Sequence, residues 1–133
     1  MITEDYVSYE TAKLLKEKEF DEECRAFYVK SKECGIELFH AKEPYNYNNN
    51  VHPCTSAPTL QMAMKWLREV HNLVIEPYRT ACGYLYTISS IPYGSTKYDN
   101  SQAFNGDDED SGQWSTWEKA CEDGVKYCLE NLI

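Results

Sequence analysis

Three pentapeptides of one pattern decide the fold of this chain: Ser8-Tyr9-Glu10-Thr11-Ala12, Thr59-Leu60-Gln61-Met62-Ala63 and Thr116-Trp117-Glu118-Lys119-Ala120. Each has a Ser or Thr, a large apolar residue, a Glu or Gln, a variable residue and an Ala. A hydroxyl side chain caps the first turn of a helix, and an acidic side chain in that turn interacts favourably with the helix dipole. The pattern therefore predicts three helices that begin at these residues.

Two strand-like stretches separate each helix start from the next. They cover residues 24–30 and 36–40, then 73–79 and 83–89, and alternate between apolar and polar residues in the manner of half-buried strands. The order predicts an α+β fold, helix-hairpin-helix-hairpin-helix, with an antiparallel sheet of about four strands and the helices packed mainly on one face. We expect one domain over residues 1–133, with long loops at 41–56 and 91–113. The similar spacing of the helix starts leaves an internal duplication open.

The charge of the chain limits its partners. The 133 residues carry 13 Lys and Arg against 22 Asp and Glu, a net charge of −9. Because binding to nucleic-acid phosphates needs a basic surface, no nucleic acid is expected as a partner except through mimicry of one. The acidic start of the chain lacks the basic and apolar regions of a signal peptide, and no apolar run approaches the ~20 residues of a membrane span. These features predict a cytoplasmic protein, no membrane partner, and free thiols at its six cysteines.

The acidic segment before the third helix has two competing interpretations. As a twelve-residue calcium loop it would place ligand oxygens on Asp107, Glu109, Ser111 and Glu118, with Gly112 at the sharp turn. Glu109 is longer than the usual third ligand, and no helix precedes the loop. The other interpretation is a solvated loop in which Glu118 forms a capping box with Ser115. The capping box is favoured, no cofactor is expected, and calcium remains the alternative.

A second metal pattern is weaker. His52 and Cys54 offer two zinc-type ligands in the asparagine-rich loop, but a zinc site normally has three or four protein ligands. Loop residues without a metal are the favoured interpretation.

Tyrosines are unusually frequent and several fall in the predicted loops. Tyr45, Tyr47, Tyr93 and Tyr98 lie where no core requires them, beside Asn and Ser. Aromatic side chains in this setting are typical of recognition surfaces. They could equally fold back over the sheet, since tyrosine is amphipathic.

The helical segments resemble a known group of proteins. Residues 6–21, 57–71 and 117–133 are similar to a family of small uncharacterised proteins from gut Bacteroides-type bacteria and their phages or prophages. The resemblance implies a bacterial or phage-encoded protein of the cytoplasm. It gives no indication of a particular activity. The acidic run at 107–110 departs from the family pattern, which makes that loop a local embellishment and disfavours calcium.

These observations favour a non-enzymatic accessory or protein-binding module derived from a phage or another mobile element. An acidic protein that occupies a basic site on a host protein is one specific form of this hypothesis. The runner-up is a calcium-stabilised domain, and a more distant alternative is an enzyme whose site is assembled from scattered residues.

Overall fold

The computed structural model of the protein describes residues 1–49 and 53–133. The chain divides into two compact units, an N-terminal unit, Met1–Gln61, and a C-terminal unit, Met62–Ile133. Each unit contains its own sheet. The single domain expected from the sequence stays a prediction.

The three helices begin where the pentapeptides predict. In chain order the elements are α1 (Tyr9–Glu17), β1 (Cys24–Ser31), β2 (Gly35–Tyr45), β3 (Cys54–Ser56), α2 (Leu60–His71), β4 (Leu73–Arg79), β5 (Tyr84–Ser90), β6 (Thr96–Asp99), a 3₁₀ turn (Asn100–Gln102), α3 (Trp117–Tyr127) and a π-helical turn (Cys128–Leu132). The prediction of an α+β fold is confirmed. None of the described helices is long and apolar enough to cross a membrane.

Side-chain caps explain two of these starts and an asparagine explains one end. The Ser8 hydroxyl accepts a hydrogen bond from the Thr11 N–H at 3.2 Å, and the Thr116 hydroxyl accepts one from the Lys119 N–H at 3.1 Å. α2 ends before Asn72, whose φ of 57° is the left-handed conformation that commonly follows a helix. The helix starts are therefore set by local chemistry that the sequence displays.

The N-terminal unit has an antiparallel sheet of order β2-β1-β3. Phe27 in the central strand lies opposite Phe39 of β2 and Ser56 of β3, so these residues share one face. The neighbouring residue Tyr28 faces the other way, towards α1. Its hydroxyl donates to the Val7 carbonyl at 2.6 Å, and its ring makes an edge contact with Tyr9. α1 thus covers one face of the sheet and leaves the Phe27 face to the loop after β2.

The C-terminal unit has an antiparallel sheet of order β4-β5-β6, with α3 packed on β4 and β5. Gly124 makes this approach possible, because a Cβ atom at that position would lie 2.7 Å from Cγ2 of Ile75. Tyr86, Ile88 and Val125 are fully buried in this unit. Pro77 lies on β4, an edge strand, which is the kind of strand that tolerates proline.

The expectation of one sheet of about four strands is wrong: six strands form two three-stranded sheets. The two additional strands, β3 and β6, have three and four residues and lie in the predicted loops 41–56 and 91–113. Segments this short carry too little alternation to be recognised, and pairing with a central strand stabilises them. β2 also continues to Tyr45, further into the first predicted loop than the alternation in the sequence indicates.

Candidate functional site

Four aromatic rings form a continuous row on the sheet of the N-terminal unit. The ring centroids of Phe39 and Phe27 are 5.8 Å apart, those of Phe27 and Tyr47 are 4.2 Å apart, and those of Tyr47 and Tyr45 are 5.2 Å apart. The first two pairs are stacked and the third is edge-on. We refer to Phe39, Phe27, Tyr47 and Tyr45 as the aromatic row.

The strand register and a bulge bring these rings together. Cys24 pairs with Tyr45 while Ala26 pairs with His40, so β2 carries extra residues opposite Arg25. Such a bulge bends its strand and redirects the following side chains. It places Tyr45 at the end of β2, within ring contact of Tyr47 in the next turn.

An asparagine turn holds Tyr47 against the sheet. The Asn48 side chain donates to the Phe20 carbonyl at 2.9 Å and accepts from the Ser56 N–H at 2.9 Å. The Asn46 side chain accepts from the Asn48 N–H at 3.1 Å. These bonds connect the turn to the backbone of Phe20 and Ser56, which fixes its conformation. Asn46 and Asn48, which lie in the loop predicted at 41–56, therefore have a structural role.

The aromatic row is partly open to solvent. Phe39 is 42% exposed and Tyr45 is 50% exposed, whereas Phe27 and Tyr47 are half-buried between them. Exposure of these apolar ring faces to water is unfavourable. Burying them against a partner therefore lowers the free energy in proportion to the area covered. Ring faces also carry negative electrostatic potential, which attracts cations.

A shallow cavity lies beside the asparagine turn. It has a volume of about 440 Å³ and is lined by Lys16, Glu19, Phe20, Asp21 and the asparagines 46, 48 and 49. The Lys16 ammonium donates to the Cys54 carbonyl at 3.1 Å. The two carboxylates, Glu19 and Asp21, are on exposed residues. The polar lining suits a ligand group that donates hydrogen bonds.

The structure separates the four tyrosines named from the sequence. Tyr45 and Tyr47 belong to the aromatic row, whereas Tyr93 and Tyr98 lie in the C-terminal unit. Tyr98 folds back, with its ring stacked on Tyr127 at a centroid distance of 3.7 Å. Tyr93 follows the cis Ile91–Pro92 bond and is 91% exposed. Tyr98 and Tyr47 therefore fold back against other rings, and the recognition surface expected of these tyrosines stays a prediction.

A polar cluster lies next to the Tyr98–Tyr127 pair. The buried Tyr86 hydroxyl donates to the Asp123 carboxylate at 2.5 Å, and Asn105 also hydrogen-bonds that carboxylate. Burial raises the pKa of Asp123, and the hydrogen bonds from Tyr86 and Asn105 oppose that rise. The arrangement ties α3 to β5 and to the loop before α3. Asp123 was not among the residues predicted from the sequence. Its position beside Cys121, Gly124 and Val125, which are buried in α3, was the available signal that its carboxylate faces the sheet.

Buried thiols make no nucleophile here. Burial raises the pKa values of Cys24, Cys121 and Cys128 to about 12. A reactive cysteine needs the opposite shift and access to solvent. These three thiols behave as small apolar side chains.

The acidic loop is organised by its own hydrogen bonds. The Asp107 carboxylate accepts from the Ser115 N–H at 2.7 Å, from the Ser115 hydroxyl at 2.6 Å and from the Lys119 ammonium at 2.7 Å. These contacts, Lys119 first, lower the pKa of Asp107. The Ser111 hydroxyl donates to Asp108 at 2.8 Å and lowers the pKa of that carboxyl in the same way.

The predicted capping box of Ser115 and Glu118 is wrong. Thr116 is the N-cap of α3, so the third helical residue is Lys119, and Glu118 only contributes an acidic group to the first turn. Ser115 bonds Asp107 instead.

Two metal sites were weighed from the sequence, a calcium loop at 107–118 and the zinc-type pair His52 and Cys54. Across residues 1–49 and 53–133, no group of three or more His, Cys, Asp and Glu side chains is placed to hold a metal ion. The calcium set of Asp107, Glu109, Ser111 and Glu118 stays a hypothesis. The zinc pair cannot be located, because His52 lies outside the described residues.

Comparisons of the chain with protein families, with curated proteins and with solved structures find no match.

Proposed function

We propose that this protein is a non-enzymatic protein-binding module whose contact surface is the aromatic row. The observation that carries the proposal is the continuous contact of Phe39, Phe27, Tyr47 and Tyr45, with two of the four rings substantially exposed. Aromatic side chains are enriched at protein interfaces because they bury a large area at a small loss of side-chain entropy. The family resemblance adds the expectation that the protein is encoded by a bacterium or its phage and lies in the bacterial cytoplasm.

A protein partner suits the charge of the chain better than a nucleic acid does. Aromatic rings also stack on bases, but a single-stranded nucleic-acid site combines them with a positively charged groove. The cavity beside the row has two carboxylates and one ammonium, and the whole chain carries −9. The phosphates of a nucleic acid would therefore be repelled.

The groups with shifted pKa values support a role without catalysis. Asp123 and Tyr86 bond each other across the contact of α3 with β5, where they serve packing. Cys24, Cys121 and Cys128 are buried with raised pKa values. A strongly perturbed titratable group indicates a catalytic site when it lines a cleft, and structural networks perturb pKa values too.

A capture experiment tests this proposal. The tagged protein, a Phe39→Ser/Tyr45→Ser double variant and a Tyr93→Ser variant are each used to capture proteins from a lysate of the encoding bacterium. We expect one partner to be retained by the wild type and by Tyr93→Ser and to be lost by the double variant. All three proteins keep the same charge, so a loss reports on the rings. Equal retention by the double variant, or no specific partner for the wild type, contradicts the proposal.

The calcium-stabilised domain remains the alternative. Its ligands would be Asp107, Glu109, Ser111 and Glu118. An ion bound there would have to compete with the Lys119 ammonium, which lies 2.7 Å from the Asp107 carboxylate.

A further inference from the structure

We infer that the partner docks as an extended, arginine-bearing segment that adds to the outer edge of β2 and stacks its guanidinium groups on the aromatic row. This inference rests on the proposed function and specifies the chemistry of the partner. It depends on three features of the N-terminal unit: the open edge of β2, the position of the rings beside that edge, and the local excess of carboxylates.

The first feature is the backbone of β2. The strand is the outermost one in its sheet, so its outer N–H and C=O groups have no strand partner within the described part of the chain. Nine of its eleven residues are exposed, on both faces. Proteins usually protect such an edge with a short strand, a bulge or a proline. The opposite edge, β3, is protected by its length of three residues.

Protection of β2 covers only its second half. The bulge lies after His40, and Pro44 lacks an N–H. Residues 35–40 keep a regular register with β1, from the Ser31–Gly35 pair to the Ala26–His40 pair. Backbone hydrogen bonds to an added strand supply affinity without depending on sequence, and side-chain contacts on alternate residues supply specificity. The open, regular part of β2 therefore fits a segment of about six residues.

The second feature is the position of the rings. Phe39 lies within this open segment and points to the same face as Phe27, its direct neighbour across the pair. A strand added to β2 would place alternate side chains on that face, within reach of Phe39. A planar guanidinium stacks on an aromatic ring, and Arg is the cation most often found in such contacts.

The third feature is charge. Glu37 lies on the Phe39 face of β2, two residues away, and it is exposed. Carboxylates outnumber cations along β2, with Glu37 and Glu43 against Lys42, and also in the cavity, with Glu19 and Asp21 against Lys16. Complementary charge favours association and excludes acidic partners. Arginine satisfies both the rings and the carboxylates.

Three labelled octapeptides test the inference by fluorescence anisotropy with the full chain. The first is (Thr-Arg)₄, the second is the same peptide with every backbone amide methylated, and the third is (Thr-Glu)₄. We expect (Thr-Arg)₄ to bind, the methylated peptide to bind about tenfold more weakly through lost backbone bonds, and (Thr-Glu)₄ not to bind. We also expect amide hydrogen exchange at residues 35–40 to slow in the complex.

Variants of unchanged charge separate ring stacking from general electrostatic attraction. Phe39→Ser should weaken (Thr-Arg)₄ about tenfold, whereas Phe39→Tyr, which retains a ring, and Tyr93→Ser should bind as the wild type does. If Phe39→Ser fails to melt cooperatively, Phe39→Leu, which keeps an apolar side chain and removes the ring, takes its place.

Each other outcome overturns the inference. Equal affinity for the methylated peptide excludes strand addition, and wild-type affinity of Phe39→Ser, or of the variant that replaces it, excludes stacking. A concentration-dependent dimer that protects residues 35–40 would assign the edge to a second copy. Preferential binding of a single-stranded oligonucleotide would assign the rings to bases. Failure of (Thr-Arg)₄ to bind removes the arginine partner, and the capture experiment then decides separately whether the aromatic row binds a protein.

Discussion

The two sheets use aromatic side chains in opposite ways. In the N-terminal unit, Phe39 and Tyr45 stand at 42% and 50% exposure in a row that ends in solvent. In the C-terminal unit, Tyr86 is fully buried and bonds Asp123, and Tyr98 stacks on Tyr127 of the terminal helix. Tyrosine can serve a core or a surface, since its ring is apolar and its hydroxyl polar. What decides between them is the element that covers the face: α3 packs on β4 and β5, whereas within residues 1–49 and 53–133 the Phe27 face is covered by the turn that carries Tyr47.

The contrast predicts that substitutions under α3 affect stability and substitutions in the row affect binding. The largest effect is expected at Gly124. A Gly124→Val substitution should lower the free energy of unfolding by about 1–3 kcal/mol, because the new side chain overlaps Ile75. Gly124→Ala should cost less, since alanine gains about 1 kcal/mol of helix propensity. Urea denaturation measures both, and a Gly124→Val protein as stable as the wild type would contradict the close approach of α3 to β4.

The second-largest effect on stability is expected from removal of the Tyr86 hydroxyl. Tyr86→Phe removes one donor from the half-buried Asp123 carboxylate, which keeps its bond from Asn105, and should destabilise the protein by about 0.5–1.5 kcal/mol. The matched change in the row, Tyr45→Phe, should stay within about 0.5 kcal/mol of the wild type. Thermal melts of the two variants compare the regions directly. Equal effects would remove the distinction drawn between the two sets of aromatic residues.

Stability should also depend on pH through Asp123. Its pKa is raised in the folded state by burial, so its ionised form opposes folding above that pKa. The penalty is present at pH 7 and disappears as the pH falls through the raised pKa towards the ordinary value near 4. We therefore expect wild type to gain stability relative to Asp123→Asn between pH 7 and pH 4. A constant difference between the two unfolding free energies would contradict the raised pKa.

The smallest effect is expected from calcium. The Asp107 carboxylate already accepts hydrogen bonds from Ser115 and Lys119, so the loop is organised without an ion. We expect the thermal midpoint to be the same in millimolar calcium and in a chelator. A higher midpoint in calcium would support the calcium-stabilised alternative, because a ligand that binds only the folded state raises its stability.

The parts of the fold that follow from local chemistry could be predicted. Ser8, Thr59 and Thr116 each precede a helix, and the four longest strands lie where alternation places them. These features depend on residues within one or two turns of each other.

The remainder depended on contacts between distant parts of the chain. β3 and β6 are stabilised by pairing and carry almost no pattern of their own. The aromatic row combines three strand residues, Phe27, Phe39 and Tyr45, with Tyr47 in the turn after β2, and its assembly needs the bulge in β2. Tyr45 and Tyr47 were predicted as surface residues, but nothing local indicated that Tyr98 would stack on Tyr127, 29 positions along the chain. The register of β1 and β2 decides which rings meet in the aromatic row, and the position of α3 decides what Tyr98 contacts.

Photo-crosslinking is the most direct test of whether the aromatic row contacts a partner. A benzophenone amino acid is placed at position 39, at position 45 or, as the exposed control, at position 93, and each protein is irradiated in the lysate of its host. If the aromatic row is the binding surface, positions 39 and 45 give one and the same crosslinked partner and position 93 gives none. Crosslinks from position 93 alone, or the same pattern from all three positions, would contradict the assignment of the aromatic row as the binding surface.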